Sequence, residues 1–374
     1  MSERTLHIVH TESSCGWGGQ EIRVLSEMRG MQERGHRVML VTPAEARIAT
    51  VARDMGLTVV TLPIARKRLP ALWVLWQWLR RESAGIDVLN THSSTDSWLA
   101  AVACRLLPGA PPIVRTRHVS SPVSRNRQTR WLYQRAAAHL VVTGEALRTQ
   151  LQRDNGFAPA SMTSVPTGID LARFVRLDPA ARPAHVAGLG LPPGPYLGIL
   201  ATLRNWKGHA YLFDAYAELA SEFPDWRLLV VGDGPQRHNL ERRAGELGLA
   251  GRIHFVGNRD DAERWFQAMD LFVLPSYGDE GVPQSIMQAM ACGLPVVSTP
   301  VGAIAEAVDA DRSGLLVAPR DAAALAAALR RLIADPALRA QFSAAGWEKA
   351  QCQFGLARMV DRMETIFRAH ARPR

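Results

Sequence analysis

Two successive series of short apolar segments, each segment followed by a helix-forming stretch, constrain the fold of this chain most strongly. The first series runs from Thr5–His10 to Leu140–Thr143, and the second from Tyr196–Ala201 to Pro295–Ser298. Short strands that alternate with helices predict parallel, doubly wound sheets. Between the series, Arg176–Pro195 carries five prolines, which predicts a linker. The pattern therefore predicts two Rossmann-like α/β domains.

The length of the chain agrees with two domains. Its 374 residues exceed what one core usually serves, and 47% hydrophobic with 21% charged residues is ordinary globular composition. We predict an N-terminal domain over residues 1–185 and a second domain over 190–355. Parallel sheets bind ligands beyond the carboxyl ends of their strands, so we expect the two domains to face a ligand-binding cleft.

Charge is distributed unevenly along the chain. Residues 1–190 hold 24 Lys and Arg against 14 Asp and Glu, whereas residues 191–374 hold 20 against 21. A basic first half predicts an anionic partner, such as a phosphorylated acceptor, a membrane surface or nucleic acid; the alternative is an arginine-rich solvated surface. Nucleic acid is disfavoured, because no recognisable nucleic-acid-binding module accompanies the basic residues.

Targeting signals and cysteine usage favour the cytosol. The segment Met1–His10 lacks the apolar core of a signal peptide, and no apolar run approaches the ~20 residues of a membrane span. The four cysteines are scattered and show no spacing typical of a metal site.

The densest group of functional signals lies in residues 275–299, where an apolar strand leads through a polar loop into a helix. We predict that this helix begins near Pro283, because proline suits a first helical turn. The backbone amides near Ser285 and Ile286 would then be free. Together with the helix dipole they would form a site for a diphosphate.

Two side chains of this block suit a sugar nucleotide. Glu280 precedes the predicted helix and can accept hydrogen bonds from sugar hydroxyls. Gln288, two turns into the helix, can bond the ribose of a nucleotide. Asp279 is expected to be a solvated loop residue.

This block resembles the donor-site signature of retaining glycosyltransferases with two Rossmann-like domains, the GT-B fold. That family includes glycogen and sucrose synthases, mannosyltransferases and lipopolysaccharide-core transferases. Its signature has Glu, seven residues, a second Glu, and then Ala-Met-Ala-x-Gly-x-Pro-Val-Val. This chain has Glu280, seven residues and Gln288, followed by the same run at 289–297. The second Glu usually holds ribose hydroxyls; Gln keeps an acceptor oxygen, so we expect binding to persist. The resemblance implies nucleotide contacts at Val282, Pro283, Ser285, Ile286, Gln288 and Glu306.

Further motifs of the second half resemble the same family. Arg204 and Lys207 match its Arg…Lys-Gly segment, whose cations neutralise the donor diphosphate and the leaving group; the alternative is plain surface charge. Gly232 and Gly234 match a turn that the resemblance implies to lie near the nucleobase. Glu306 closes a loop that matches the family's Thr-x-x-Gly-Gly-x-x-Glu with one glycine replaced; its alternative role is helix capping.

The first half matches the family more weakly. Gly18 and Gly19 stand between the first strand and helix, as in the family's Gly-Gly-x-Glu opening over the donor phosphates; alone they would be an ordinary turn. His118 follows the strand Ile113–Arg117 and matches a histidine of the catalytic cleft; the alternative is a satisfied loop histidine. For His92, in Asn90-Thr-His-Ser, the sequence favours neither of these two roles.

Two basic segments of the first half have functions left open. Ile64–Arg81 combines three Trp with five basic residues and fits either an interfacial membrane helix or an amphipathic helix packed on its own sheet. The stretch Arg115–Arg135 carries six arginines and could clamp a phosphorylated acceptor.

The resemblance implies sugar transfer, with retained anomeric configuration, from a nucleotide-sugar donor to a glycan or phosphorylated glycolipid of the bacterial surface. No metal and no further cofactor is expected, because Arg204 and Lys207 can supply the fixed positive charge. It also implies that a last helix, at about 356–374, returns to the first domain. We expect a cytoplasmic protein that visits the inner membrane reversibly. The alternatives are a sugar-nucleotide epimerase of the same fold and a catalytically silent nucleotide-sugar binder.

Overall fold

A computed structural model of the chain describes residues 4–278 and 280–373. Asp279, predicted to be a solvated loop residue, therefore lies outside the described residues. The chain divides into two compact units: one extends up to Gly168 and resumes at Leu356, and the other runs from Ile169 to Gly355. The predicted linker Arg176–Pro195 falls inside the second unit. It forms a 3-10 turn and a helix there, not an extended connection.

Each unit is built on one parallel sheet. The strands of the first unit are β1 (His7–Thr11), β2 (Arg37–Thr42), β3 (Thr58–Thr61), β4 (Val88–Thr91), β5 (Ile113–Arg117), β6 (His139–Val142) and β7 (Met162–Ser164). Those of the second unit are β8 (Tyr196–Leu200), β9 (Arg227–Val231), β10 (Ile253–Gly257), β11 (Leu271–Leu274), β12 (Val296–Ser298) and β13 (Gly314–Leu316).

Helices connect these strands. In the first unit they are α1 (Gly19–Glu33), α2 (Arg47–Asp54), α3 (Leu69–Glu82), α4 (Ser94–Arg105), α5 (Arg127–Trp131) and α6 (Glu145–Asn155). In the second unit they are α7 (Arg182–Gly188), α8 (His209–Leu219), α9 (Arg237–Glu246), α10 (Ala262–Phe266), α11 (Gln284–Ala291), α12 (Ile304–Ala307), α13 (Ala322–Ala334) and α14 (Pro336–Gln353). The last helix, α15 (Leu356–His370), belongs to the first unit. Short 3-10 turns cover 83–85, 159–161, 179–181 and 205–207, and a π-helical turn covers 132–136.

The strand order confirms the predicted doubly wound architecture. It is β3-β2-β1-β4-β5-β6-β7 in the first unit and β10-β9-β8-β11-β12-β13 in the second. The winding direction therefore reverses between β1 and β4, and again between β8 and β11. Such switch points open a crevice at the carboxyl ends of the strands, where ligands bind in folds of this class. The segments that follow these four strands carry Gly18, His92, Lys207 and Glu280 among the predicted site residues.

The sheets are held by buried apolar strands and by close helix contacts. All five residues of β1 and all four of β11 are buried, as expected for strands covered on both faces. Helix α15 packs on α1 so closely that a Cβ at Gly30 would lie 2.5 Å from Val360. Within the described residues, no helix combines the length and the apolar character that crossing a bilayer requires.

Candidate functional site

The central contact of the second unit joins Lys207 to Glu280. The Lys207 Nζ lies 2.6 Å from Glu280 Oε1, and the Ser276 hydroxyl donates to the same oxygen at 2.7 Å. Only 8% of Glu280 is exposed. The sequence predicted separate partners for the two charges, namely a diphosphate for Lys207 and a sugar for Glu280. The structure adds that the two side chains form an ion pair with each other.

Backbone contacts fix both members of this pair. Gly208 ends the 3-10 turn of Lys207 with φ +79°, and a Cβ there would lie 2.0 Å from the Pro275 carbonyl oxygen. Gly302 has φ +60°, and a Cβ added there would lie 2.0 Å from the carbonyl oxygen of Glu280. The amide of Ala303 donates to that Glu280 oxygen at 3.1 Å. Glycine is required at both positions, because only glycine combines positive φ with so close a backbone approach.

Arg204 stands beside this pair on the same turn. Its side chain is exposed, and its Cζ lies 5.1 Å from the centre of the Trp206 ring. The amide of Lys207 donates to the Arg204 carbonyl oxygen at 3.1 Å, which links the two predicted diphosphate ligands through the backbone. An exposed guanidinium next to a half-buried ammonium can offer fixed positive charge to an anion.

The turn at Gly232 and Gly234 packs against the backbone of residues 201–203, which precede Arg204. Added Cβ atoms at these glycines would lie 2.1 Å from the Ala201 carbonyl oxygen and 2.7 Å from that of Leu203. The Leu203 amide donates to the Asp233 carbonyl oxygen at 3.0 Å. These contacts explain the two glycines through packing, while their predicted place near the nucleobase stays a prediction.

Helix α11 differs in its first turn from the expectation. Pro283 is the residue before the helix and not its first residue. The prediction of a free Ile286 amide is wrong, because that amide donates to the Pro283 carbonyl oxygen at 3.2 Å. Val282 and Pro283 are buried, whereas Ser285 is half-buried. A tight turn of this kind satisfies a donor that the sequence pattern alone leaves open.

The remaining predicted nucleotide contacts lie on two helices. Gln288 is half-buried in α11, and Glu306 is half-buried in the short helix α12. The amide of Glu306 donates to the Ala303 carbonyl oxygen at 3.1 Å, so it belongs to the turn that follows Gly302. Their contacts to a nucleotide stay predictions.

In the first unit, three histidines form a hydrogen-bonded row. His10 lies one residue before the end of β1, His92 follows β4 and His118 follows β5, three strands that are neighbours in the sheet. The His10 Nδ1 lies 3.0 Å from His92 Nε2, and the His92 Nδ1 lies 2.9 Å from His118 Nε2. Burial lowers the pKa of His10 to about 3 and lowers the pKa values of His92 and His118 well below the ordinary value. The row is therefore neutral at physiological pH, and each ring can donate one hydrogen bond and accept one.

This row makes a testable contribution to stability. A histidine whose pKa is depressed by folding stabilises fully above its unfolded pKa of 6.5, and that contribution is lost as the pH falls below 6.5. We expect His10→Asn to be less stable than the wild type at pH 7.5. The deficit should shrink by about 1.4 kcal/mol at pH 5.5, because only the wild type buries the His10 ring, which binds a proton in the unfolded chain; His92 and His118 are common to both proteins. Denaturant unfolding at the two pH values measures it.

The exposed His238 provides the control for this measurement. His238→Asn removes one histidine without emptying a buried position. If the difference in free energy of unfolding from the wild type changed equally between pH 7.5 and pH 5.5 for both variants, burial of His10 would not be the cause of that change.

Sequence reasoning missed a buried polar network beside the row. Glu12 follows β1 and accepts hydrogen bonds from the Ser14 amide at 2.7 Å, from the Ser93 hydroxyl and from the Gln20 amide group. Asp96 lies next to it, and burial together with the Asp96 charge raises the pKa of Glu12. The signal in the sequence was the polar run that ends an otherwise apolar strand.

The predicted Gly18-Gly19 turn adjoins this network. Gly18 precedes α1, which begins at Gly19, and as the N-cap residue it has no side chain of its own to cap the helix. A Cβ at Gly18 would meet only the tip of Glu21, at 3.8 Å. Among residues 4–278 and 280–373, no steric contact demands glycine at position 18, and its role over a phosphate stays a prediction.

The tryptophan-rich segment divides between the two interpretations. Its helix is α3, in which Trp78 is buried in the core while Trp73 is 58% exposed. Leu69, at the start of the helix, is 81% exposed. The helix thus packs on its own unit and still presents apolar side chains to solvent next to Arg66 and Arg68.

The sequence Asp309-Ala-Asp311 holds two closely spaced carboxylates, and both have cationic partners. In Asp309-Ala-Asp311, Asp309 lies 2.7 Å from Lys349 and Asp311 lies 3.0 Å from Arg331. Within residues 4–278 and 280–373, no group of three or more His, Cys, Asp or Glu side chains is arranged to hold a metal ion.

Comparisons with known families match both halves of the chain. The model of the family described as "Glycosyl transferases group 1" matches residues 194–335. The model described as "Glycosyltransferase Family 4" matches residues 17–173. The matched regions include the Lys207–Glu280 pair and the histidines at positions 92 and 118.

Individual proteins agree with these matches. The 2-deoxystreptamine glucosyltransferase of Streptomyces kanamyceticus is 31% identical over 90% of this chain and 95% of its own length. The lipopolysaccharide core biosynthesis mannosyltransferase LpsB of Rhizobium meliloti is 28% identical over 88% and 94%. The structure of Anabaena Alr3699/HepE in complex with UDP and glucose superimposes with a TM-score of 0.86 at 21% identity, covering 97% of this chain and all of that one. At that identity the superposition shows the GT-B fold.

Proposed function

We propose, from the premise that this chain belongs to the GT-B glycosyltransferases of group 1, that it transfers a hexose or heptose from a nucleotide sugar with retention. The acceptor is a glycan or a phosphorylated glycolipid of the bacterial surface. The relatives include a glucosyltransferase and a lipopolysaccharide-core mannosyltransferase, which supports a sugar donor but leaves the sugar open.

The observation that carries this proposal is the Lys207–Glu280 ion pair. A carboxylate that is 8% exposed and bonded to an ammonium at 2.6 Å is held in one orientation. Gly302 fixes its backbone and Ser276 fixes its side chain. A carboxylate so positioned can accept hydrogen bonds from sugar hydroxyls with little reorganisation, which is what selective stabilisation of a transition state requires.

The chemistry assigned to these residues is electrostatic. The bond between the anomeric carbon and the diphosphate oxygen breaks, and Arg204 with Lys207 stabilises the charge that develops on the leaving diphosphate. The acceptor hydroxyl attacks the oxocarbenium-like carbon from the same face and passes its proton to the departing diphosphate oxygen. Glu280 positions the sugar, and the neutral His118 bonds an acceptor or donor hydroxyl. We propose that no divalent metal is needed, because the two cations supply its charge.

The place of action follows from α3. The exposed Leu69 and Trp73 beside Arg66 and Arg68 suit the boundary of an anionic bilayer. We propose a cytoplasmic enzyme that associates reversibly with the inner face of the inner membrane.

Thermal unfolding with UDP, GDP and ADP, each with and without magnesium, tests the donor site. We expect one nucleotide to stabilise the protein without magnesium, by about 2.7 kcal/mol at a concentration of 100 Kd. Arg204→Ala combined with Lys207→Ala should abolish the shift, because it removes the charge that holds the diphosphate.

Arg242→Ala is the matched control, since Arg242 is an exposed arginine of the same unit on α9. It should keep the full shift. If no nucleotide stabilises the wild type, the transferase proposal loses its donor site, and Gln288 becomes the mark of a protein that no longer binds a nucleotide sugar. A bound nucleotide without transfer or donor hydrolysis would favour the silent binder. A product epimeric at C2 would favour the epimerase.

A further inference from the structure

A polar pocket of about 460 Å³ lies in the first unit, beyond the carboxyl ends of β4 and β5. Its lining includes His92 and His118 of the histidine row, the basic side chains of Lys67, Arg115 and Arg117, and the ring of Tyr133. A pocket of this size is within the range of small-molecule sites. Arg204, Lys207 and Glu280 belong to the second unit and do not line this pocket, whereas His118, which we propose to bond a substrate hydroxyl, does.

Two arginines of the pocket are buried and form no ion pair with a carboxylate of the described part of the chain. Arg115 and Arg117 are two positions apart on β5, so their side chains share one face of the sheet. They are 3% and 9% exposed. The Nε and Nη1 of Arg115 and the Nε of Arg117 find no hydrogen-bond acceptor among the described residues.

Tyr133 holds the two guanidinium groups in place. The Arg115 Cζ lies 4.2 Å from the centre of the Tyr133 ring, and Arg117 Nη1 donates to the Tyr133 hydroxyl at 3.0 Å. Arg117 also donates to the carbonyl oxygen of Ser121. The two cations are therefore oriented by an aromatic ring and neutral oxygens, which do not neutralise their charge.

The positive charges of Lys67, Arg115 and Arg117 repel one another. Burial lowers the pKa of Arg115, and the charge of Arg117 lowers it further. Burial and the charge of Arg115 lower the pKa of Lys67. Asp96 attracts both Arg115 and Lys67 through space, but its oxygens already accept hydrogen bonds from Thr11 and Ser13 and from two backbone amides. Burying cations with unsatisfied donors costs free energy unless an anion joins them.

We propose that Arg115, Arg117 and Lys67 form a subsite that binds a phosphate group of the acceptor. This inference rests on the proposed function and names the acceptor's chemistry. A guanidinium presents parallel N–H donors that match phosphate oxygens, and a phosphate dianion balances more of the three positive charges than a carboxylate can. The hydroxyl groups of Ser121, Ser124 and Thr129, which also line the pocket, suit the sugar or polyol that carries the phosphate.

Calorimetry on the full chain tests the subsite with inorganic phosphate, a hexose 6-phosphate and the same hexose without phosphate. We expect the hexose phosphate to bind at least about 10-fold more tightly than the free hexose, as a charge-assisted contact implies. Lys67→Ala should weaken its binding about 10-fold, and Arg115→Lys by at least as much, because lysine keeps the charge but loses the fork. The exposed Lys67 can be removed without disturbing the core, which guards against misfolding of the Arg115 variant.

Arg127→Ala is the matched control, because Arg127 is an exposed arginine of the same basic stretch that does not line the pocket. It should leave the affinity for the hexose phosphate within about two-fold of the wild type. Equal affinity of wild type, Lys67→Ala and Arg115→Lys, or equal affinity for hexose and hexose phosphate, would overturn the subsite.

Vesicles distinguish the two sources of the phosphate. If the group belongs to a lipid headgroup, phosphatidylglycerol vesicles bind the chain, phosphatidylcholine vesicles do not, and Lys67→Ala weakens the binding more than Arg68→Ala. If it belongs to a soluble sugar phosphate, the hexose phosphate binds and Lys67→Ala behaves toward vesicles as Arg68→Ala does. If no nucleotide stabilises the protein but the hexose phosphate still binds, the result counts against the proposed function only. If a nucleotide stabilises the protein but the hexose phosphate does not bind, the result counts against the subsite only.

Discussion

Glu280→Gln is expected to lower kcat/KM for sugar transfer by about 100- to 1,000-fold, which is the range for removing one preorganised electrostatic group. The glutamine oxygen can still accept from Lys207 and Ser276, so the fold should survive, with the free energy of unfolding within about 1.5 kcal/mol of the wild type. What disappears is the negative charge beside the reacting sugar. Initial rates with saturating and limiting donor, together with the affinity for the free nucleoside diphosphate, measure the effect.

The nucleotide affinity separates two roles of Glu280. If the carboxylate acts on the sugar, the affinity for the nucleoside diphosphate stays within about three-fold of the wild type, because that ligand lacks the sugar. If Glu280 served only to hold Lys207, the diphosphate affinity would fall as far as the turnover does. Glu246→Gln, at an exposed position of α9, removes the same charge from the same unit and should leave both quantities unchanged. Near-full turnover of Glu280→Gln would end the assignment.

Much of the fold could be predicted because local patterns determine it. The strand Ile113–Arg117 is observed with the predicted bounds, and the predicted segments Thr5–His10 and Tyr196–Ala201 form β1 and β8 to within two residues at each end. β7 was not predicted: three residues, Met162–Ser164, carry too little periodicity. The tail over roughly Asp321–Ala371 is helical, as its sequence predicts, and consists of α13, α14 and α15. Asp335 caps the start of α14, and Phe354 is the residue that follows its end.

The same reasoning shows why the site was predicted only in part. The residue types of the donor block carry the resemblance, so Glu280, Arg204 and Lys207 could be named from the sequence. Their pairing could not, because Lys207 and Glu280 are 73 positions apart and meet only through the winding of the sheet.

The interior of the first unit was less visible still. His10 lies in β1 and Glu12 directly follows it. In sequence alone, a polar residue at such a position indicates the exposed edge of a sheet or a loop. Only the pairing of β1 with β4, which His92 and Ser93 follow, shows that His10 belongs to the buried row and that Glu12 lies in the polar network beside it. The six arginines of the stretch from Arg115 to Arg135 look alike in sequence. Burial separates Arg115 and Arg117 from the four exposed ones.

Substitution of Gly302, the glycine that faces Glu280, is expected to have the second large effect, on both stability and activity. Gly302→Ala should destabilise the protein by about 3 kcal/mol, the sum of a left-handed backbone at a residue with a Cβ and an overpacked contact. The added Cβ would lie 2.0 Å from the Glu280 carbonyl oxygen and 2.9 Å from its nitrogen, so the Glu280 backbone must move. Denaturant unfolding gives the free energy, and transfer assays below the unfolding transition give the activity of the folded fraction.

The activity of that folded fraction is the sharper observable. Movement of the Glu280 backbone carries the carboxylate away from Lys207, and a displacement of about 1 Å at a positioning group can cost about 100-fold in rate. Gly245→Ala is the matched control, because Gly245 lies in α9 with no neighbouring atom within 4 Å of an added Cβ. That variant should gain about 0.5–1 kcal/mol of stability and keep full activity. If Gly302→Ala lost stability but its folded fraction transferred sugar at the wild-type rate, the position of Glu280 would not govern catalysis, and the ion pair would be a structural feature of the loop.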